Sequence, residues 1–390
     1  MSINVKEMPK LGFGLMRLPE KDGVIDLEEV CRMADLYMDA GLTYFDTAYP
    51  YHGGRSEVAL KEAVVKRYPR DSFTIATKLP IWILNNKEDR DKIFNEQLER
   101  TGSDYFDFYL LHSVEDGNIE KYESLDCFNW GLEKKKEGKI RHFGFSFHGT
   151  PELLVRVLDA HPEIEFVQIQ LNYADWENPV VRSGQLYQIL HDRNIPMIIM
   201  EPAKGGNLAS LKPELEEKFK AIRPDASIAS WGFRFVGSLP GVMTILSGMS
   251  HEDQMKDNIS TFTHFEPLSQ EEKETVEEVR RIMTDIPLIG CTSCRYCCDG
   301  CPMELDIPYL LQCYNDYKFA TTMTPSMRID ALSDDKRPAA CIGCGQCMHA
   351  CPQGIDVPSA LAELAEMYEK GPHWGDVVVQ RAKSIEDDLK

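Results

Sequence analysis

Short apolar runs and longer segments of helical spacing alternate over the first 265 residues. The short runs predict strands at 11–15, 42–46, 73–78, 105–111, 140–145, 166–171, 196–200 and 242–247. Between them, apolar positions three and four residues apart predict helices such as 26–40, 57–67, 87–100, 119–137 and 251–262. Eight strands, each followed by a helix or loop, is the count of a closed (β/α)8 TIM barrel. A doubly wound open sheet competes, but no G-x-G-x-x-G follows the first strand, where a dinucleotide-binding sheet would carry it. A last helix over 269–284 has Ser269 at its cap and Glu272 three residues on, a capping box, and Ile286-Pro287 stops it. Beyond it the pattern changes. Apolar stretches at 307–314 and 358–370 suggest helices around a Pro- and Met-bearing segment, 321–328, and nothing decides the form of 377–390.

Composition sharpens the boundary. All but Cys31 and Cys127 of the twelve cysteines fall between Cys291 and Cys351. The reading is therefore a barrel over 1–285, a small cysteine-rich α+β domain with helical insertions over 286–372, and a tail over 373–390. The net charge is -20, and the one basic run, Lys134-Lys135-Lys136, is flanked by Glu133 and Glu137, so no nucleic-acid footprint is present. The first residues lack the apolar core of a signal peptide and no apolar run reaches about 18 residues, so neither export nor a membrane is expected and the cytoplasm is.

The cysteines fall into two copies of one pattern. Cys291, Cys294, Cys297 and Cys301-Pro302 repeat as Cys341, Cys344, Cys347 and Cys351-Pro352, each C-x-x-C-x-x-C-x-x-x-C-P. Structural zinc is the competing reading of paired C-x-x-C motifs, but two matching triplets, each with its own Cys-Pro, favour iron–sulfur clusters. The segment resembles bacterial two-cluster ferredoxins. That resemblance implies two 4Fe–4S clusters, one on Cys291, Cys294, Cys297 and Cys351, the other on Cys341, Cys344, Cys347 and Cys301. Cys31 and Cys127, in helical patterns, read as small buried hydrophobes, and Cys298 as an alternate ligand at most.

Barrel chemistry sits at the C-terminal ends of strands. Those ends carry Asp46 with Tyr51 just beyond, Lys78, and His112, from three successive strands. Singly, each has a bland explanation as a cap, a packed ring or a solvated cation; together they form a constellation. The stretches Phe45-Asp46-Thr47-Ala48-Tyr49-Pro50-Tyr51, Ala76-Thr77-Lys78, Tyr109-Leu110-Leu111-His112 and Gly138 to Ser146 resemble the aldo-keto reductase family. The resemblance covers about three quarters of the chain and implies reduction of a small aldehyde or ketone by NADP(H) or NAD(H). It also implies that Tyr51 is the proton donor, Lys78 lowers its pKa, Asp46 holds Lys78, and His112 orients the carbonyl. Ser146 and Gln168 would bind the nicotinamide carboxamide, and Ser247, Gly248, Gln254 and Asn258 the rest of the nucleotide.

Three positions depart from the family. Phe147 follows Ser146 where Asn is common, Met200 stands where an aromatic commonly stacks on the nicotinamide, and the Lys and Arg with which the family grips a 2′-phosphate are missing around Ser247-Gly248-Met249-Ser250 and Gln254. Electron counting adds a difficulty, since a nicotinamide exchanges two electrons as hydride while each cluster passes one. Carbonyl reduction, with clusters for electron transfer, structure or redox sensing, is the leading reading. Its rivals are a reductase fed by ferredoxin or another electron carrier through a flavin or directly, and a non-catalytic electron carrier on a reductase scaffold.

Overall fold

Eight parallel strands close on one another in the computed structural model, which describes residues 8–371 apart from 179–180, 264, 286–287, 292–293, 320–322 and 331. They are β1 (Leu11–Gly14), β2 (Tyr44–Asp46), β3 (Thr74–Pro80), β4 (Phe106–Val114), β5 (Ile140–Phe147), β6 (Phe166–Gln170), β7 (Met197–Met200) and β8 (Val242–Ser247). Each pairs with the next and β8 returns to β1, so the expected (β/α)8 barrel is the observed one. A short antiparallel hairpin, Glu20–Lys21 with Val24–Ile25, sits outside the barrel sheet.

Register explains where the polar groups go. Across β3 and β4, Ala76 lies opposite Phe108, Lys78 opposite Leu110, and Pro80 opposite His112. Side chains alternate along a strand, so these residues share one face. That face is the bore, packed with Tyr44, Ala76, Phe108, Leu110, Phe166, Ile198, Met243 and Leu246. Two residues further along the same columns stand Asp46, Lys78, His112 and Gln168, so each column turns from apolar to polar at its C-terminal end. The opposite faces, with Phe13, Phe45, Ile75, Tyr109, Phe143, Val167 and Ile245, form the larger core shared with the helices.

Two helices differ from expectation. The segment 119–137 is broken into Ile119–Ser124 and Cys127–Lys136, with Asp126 at φ 56 between them. The Arg90 guanidinium donates to the Leu125 and Asp126 carbonyls, the latter at 2.9 Å, and so satisfies groups a continuous helix would have used. The segment 57–67 begins as Arg55–Leu60 and continues as a π-helical turn, Lys61–Val65. The capping box is present: Glu272 N donates to Ser269 Oγ at 3.2 Å and Ser269 N to Glu272 Oε2 at 2.7 Å.

Chain contacts divide the molecule into compact units 1–276 and 277–390. The division falls inside the helix Gln270–Thr284; because no border naturally interrupts a hydrogen-bonded helix, we propose the domain boundary at its end, 285/286. Among its described residues the second unit is helical, with Ile307–Phe319 packed on Val357–Lys370 through Leu310, Leu311, Leu361 and Leu364. Part of the connection between the cysteine runs is thus helical, as its apolar spacing suggested. No strand ladder occurs there among the described residues, where turns such as Cys301 N to Cys298 O take up the backbone groups beside the cysteines. The tail 373–390 and Ile286-Pro287 lie outside the described residues.

A Cβ at Gly144 would collide with the Phe166 carbonyl oxygen on the paired strand. Backbone cannot yield as a side-chain tip can, so Gly144→Ala should destabilise the barrel by about 1–3 kcal/mol. Urea unfolding followed by tryptophan fluorescence checks this; an unchanged midpoint would contradict the register.

Candidate functional site

The bore ends in a buried ion pair. Lys78 is fully buried, and its Nζ lies 2.7 Å from Asp46 Oδ1, 2.7 Å from the Thr47 carbonyl and 3.4 Å from the Tyr51 hydroxyl. Three partners match the three protons of an ammonium. Burial opposes that charge, but Asp46 and then Tyr51 outweigh it, and Lys78 is held above the ordinary lysine value. Tyr51 sits in a 3-10 turn, Tyr51–Gly54, that β2 delivers over the bore; His52 and Gly53 adopt positive φ there. His112 joins them, its ring centroid 5.9 Å from that of Tyr51 and 5.0 Å from that of Trp82. The structure therefore brings Asp46, Tyr51, Lys78 and His112 together. Lys78 and His112 lie two residues inside the strand ends rather than at them, because β3 runs on to Pro80 and β4 to Val114.

The electrostatics differ from the sequence expectation in one respect. Burial pushes the Tyr51 phenol up; the Lys78 ammonium pulls it back without overcoming burial, and Asp46 and Glu201 add to the rise. Burial, then the Lys78 charge, holds His112 well below the usual histidine value, so its imidazole is neutral. Its Nδ1 is buried without a hydrogen-bond partner, as are Asp46 Oδ2 and Gln168 Oε1. Buried polar atoms are rarely left unpaired, and three at the polar ends of neighbouring columns suit a place for a ligand.

Ser146 and Gln168 face each other across β5 and β6. Ser146 Oγ accepts from Ser113 N at 2.7 Å, where Ser113 takes φ 61 and the β4–β5 register shifts. Ser247, Gly248, Gln254 and Asn258 line a groove of about 270 Å3 at the end of β8. Asn258 Nδ2 donates to Ser247 Oγ at 2.8 Å, and Gln254 Oε1 accepts from Ser250 N at 2.8 Å. Ser146 and Gln168 are not among the residues lining this groove.

Sequence reasoning missed the three charged residues lining the groove, Asp257 and, on the strand-end loops, Arg17 and Glu201. Arg17 follows β1 and Glu201 follows β7, so the strand-end rule applied to those two strands would have found them. It also missed the support behind Lys78. There Glu57 Oε1 accepts from Thr77 Oγ1 and from Gln97 Nε2, both at 2.8 Å, and Gln97 Nε2 also reaches the Lys78 carbonyl at 3.1 Å.

In the second unit the two cysteine runs repeat as structure. In each, the second cysteine (Cys294, Cys344) is exposed and the third (Cys297, Cys347) buried. The next residue after the second cysteine, Arg295 or Gly345, has positive φ and opens a short helix. One hollow is lined by Cys291, Cys294, Cys297 and Cys351, and another by Cys301, Cys341, Cys344 and Cys347. Each thus gathers three thiols of one run and the Cys-Pro thiol of the other. Among the described residues no three His, Cys, Asp or Glu converge as on a single ion. A cube asks for something else, since its four sulfur ligands go to four separate irons. The donor set fits a cluster. Cys127, by contrast, is buried in the barrel's own apolar core, and burial pushes its thiol up to about 12.

Residues 10–281, well over half the chain, match the model of the aldo/keto reductase family. The chain belongs to that family. Residues 290–356 match a 4Fe-4S dicluster domain, so this aldo/keto reductase carries an iron–sulfur unit after its barrel. It is similar to L-galactose dehydrogenase of Arabidopsis thaliana, 27% identical over 68% of this chain and 86% of that protein. Aldehyde reductase YPR1 of Saccharomyces cerevisiae is 23% identical over 70% and 88%. Among solved structures, an aldo-keto reductase of Klebsiella pneumoniae in complex with NADPH shares the barrel, with TM-score 0.57, 21% identity, and 70% and 91% coverage. The holo form of AKR11C1 from Bacillus halodurans does so with TM-score 0.55, 24% identity, and 69% and 91% coverage.

The crossed hollows make a test. Cys351→Ser should disturb the cluster held by Cys291, Cys294 and Cys297, and Cys301→Ser the cluster held by the second run, read by iron content and low-temperature electron paramagnetic resonance of the reduced protein. If each variant instead disturbed the cluster of its own run, the crossing would be wrong. A second test follows from His112: isotope-edited NMR should find its ring neutral across about pH 5–8, where a free imidazole titrates. An inflection near the ordinary histidine value would contradict the burial argument.

Proposed function

We propose that the barrel catalyses the reversible reduction of an aldehyde or ketone with NADP(H) or NAD(H). One observation carries the reading: a buried ammonium, Lys78, lies 2.7 Å from the Asp46 carboxylate and 3.4 Å from the Tyr51 hydroxyl. Bound nicotinamide would supply the hydride. Hydride arriving at carbonyl carbon leaves charge on oxygen, and Tyr51 would give that oxygen its proton. Lys78 eases the release by stabilising the phenolate, and Asp46 keeps Lys78 charged and aimed. A neutral His112 can donate one hydrogen bond to the carbonyl oxygen without competing to protonate it. Gln168, with a buried oxygen lacking a partner, and Ser146 suit the carboxamide; Ser247, Gly248, Gln254 and Asn258 suit the remainder of the dinucleotide. The Klebsiella pneumoniae structure described with NADPH, and the dehydrogenase and reductase names of the relatives, support the same assignment.

Cys291, Cys294, Cys297 and Cys351 would hold one 4Fe–4S cluster, and Cys341, Cys344, Cys347 and Cys301 the other, giving the protein one-electron chemistry. A ferredoxin-like carrier is the proposed electron partner. No described helix is long and apolar enough to cross a membrane. Free thiols in this number suit a reducing compartment, and we assign the cytoplasm. A second reading, in which a flavin or the substrate itself takes electrons from the clusters, is favoured by one feature: Arg17 is the single cation among the described residues lining the groove.

Paired turnover assays separate the two. With NADH or NADPH, wild type should reduce model aldehydes, and Tyr51→Phe should lose about 10²–10⁴-fold in rate with nucleotide affinity nearly unchanged. Full turnover by Tyr51→Phe, or negligible nucleotide-driven turnover beside robust turnover with reduced ferredoxin, would overturn the first reading.

A further inference from the structure

The groove at the end of β8 carries an unusual balance of charge for a site meant to receive phosphates. Its charged lining residues are Arg17, Glu201 and Asp257, one cation against two carboxylates. The cation is already engaged, with its guanidinium 3.9 Å from Glu201 Oε1. Lys204, three residues beyond Glu201, donates to the buried Asp175 carboxylate at 2.6 Å. Asp257 accepts from Ser227 Oγ at 2.7 Å. Glu201 itself is held in a disfavoured backbone conformation, φ 58. Its carbonyl accepts from Asn172 Nδ2 and from Lys204 N, each at 3.0 Å, which fixes the turn that presents the carboxylate. A strained non-glycine residue at a ligand cavity calls for a functional explanation.

We propose that Glu201 sets the affinity and the phosphate preference of this groove, acting as an internal counter-ion to Arg17 that an anionic ligand must displace. The proposal rests on the reading of the groove as a nicotinamide dinucleotide site. A diphosphate bridge entering the groove competes with Glu201 for Arg17 and is repelled by the carboxylate it displaces. The 2′-phosphate of NADPH adds up to about two further negative charges at neutral pH, by the pKa of a phosphate monoester. NADH is therefore the better ligand of the protein as it stands. Arg17 and Glu201 are 46% and 35% exposed in their side chains, so the competition is partly screened and its effect is moderate.

The experiment is equilibrium binding of NADH and of NADPH to the anaerobically purified, cluster-loaded full chain, at low and high salt. Wild type should bind NADH more tightly than NADPH. Glu201→Gln should tighten both by about three- to tenfold, with the larger gain for NADPH, and the gain should shrink at high salt. Arg17→Met should weaken both, and in the double variant the gain from Glu201→Gln should disappear. Thermal unfolding of each variant verifies that the barrel is intact. If wild type binds nucleotide while Glu201→Gln leaves both affinities unchanged or weaker, the role of Glu201 is refuted and the dinucleotide reading stands. If neither wild type nor Glu201→Gln binds either nucleotide, the dinucleotide reading falls and takes the proposal with it.

Discussion

Everything at the candidate site depends on keeping one ammonium buried. Lys78 projects into the bore of a barrel filled otherwise by Tyr44, Phe108, Leu110 and Phe166, and it retains its charge only because Asp46 and the Thr47 carbonyl meet it at 2.7 Å. Removing one partner of such a pair costs about 3–5 kcal/mol, since the other charge is left buried alone. The pair is therefore poor stabilising material and strong positioning material. A second tier enforces it: Glu57, Thr77 and Gln97 form a buried network, and Tyr109 donates to Gln97 at 2.6 Å. Through the bond from Gln97 to the Lys78 carbonyl, this network clamps the strand that carries Lys78. Tyr51 can then act from a short turn rather than from a strand, because its partner does not move.

The barrel was legible from the chain because periodicity is written in every strand. All eight expected segments overlap the observed strands, and the polar groups closing four of the inward columns, Asp46, Lys78, His112 and Gln168, follow apolar runs in the sequence. The tetrad residues came from those closures. What failed to show was anything set by residues distant in sequence. The break at Asp126 depends on Arg90, whose guanidinium meets a carbonyl 36 residues further along the chain, and no local pattern announces it. The upward push on Tyr51 likewise follows from how completely the surrounding elements bury it, which composition does not record. Arg17 and Glu201 were hidden for a different reason. They lie on loops nearly two hundred residues apart, and neither is a sequence neighbour of Ser247.

The cysteine unit shows the opposite balance. Its spacing is so restrictive that the ligand sets could be inferred by resemblance before any fold was known, whereas its architecture could not. Helices Ile307–Phe319 and Val357–Lys370 supply an apolar core around the hollows. The repeat in exposure, with one cysteine of each run open to solvent and one buried, makes the two hollows near copies of each other. They are not identical. Arg295 lines the hollow that holds Cys291, whereas the other is lined by residues without charge besides its thiols. A cluster gains negative charge on reduction, so a nearby guanidinium favours the reduced form and an apolar wall disfavours it. Arg295 is also paired with Asp306 at 3.1 Å, which weakens the effect without reversing it.

The two halves of the chain thus solve opposite electrostatic problems. The barrel bore holds a cation that would rather be in water, beside a phenol whose ionised form that charge favours. The cysteine unit suits a strongly anionic group, and surrounds it with apolar side chains that make further negative charge costly. Hydride chemistry needs both electrons to move together, and the bore, closed at its base by packed aromatic rings, offers a single dry place for that to happen. Clusters deliver electrons singly, and in each run one cysteine, Cys294 or Cys344, is open to solvent. A donor that delivers single electrons can serve the barrel only through a group able to hold one while awaiting the second. None of the protein side chains at the tetrad can do so: Tyr51, Lys78, Asp46 and His112 are proton-handling groups in this setting. Their chemistry suits proton delivery beside a hydride donor, whereas a stepwise reduction at the same place would need a bound flavin to gather the two electrons.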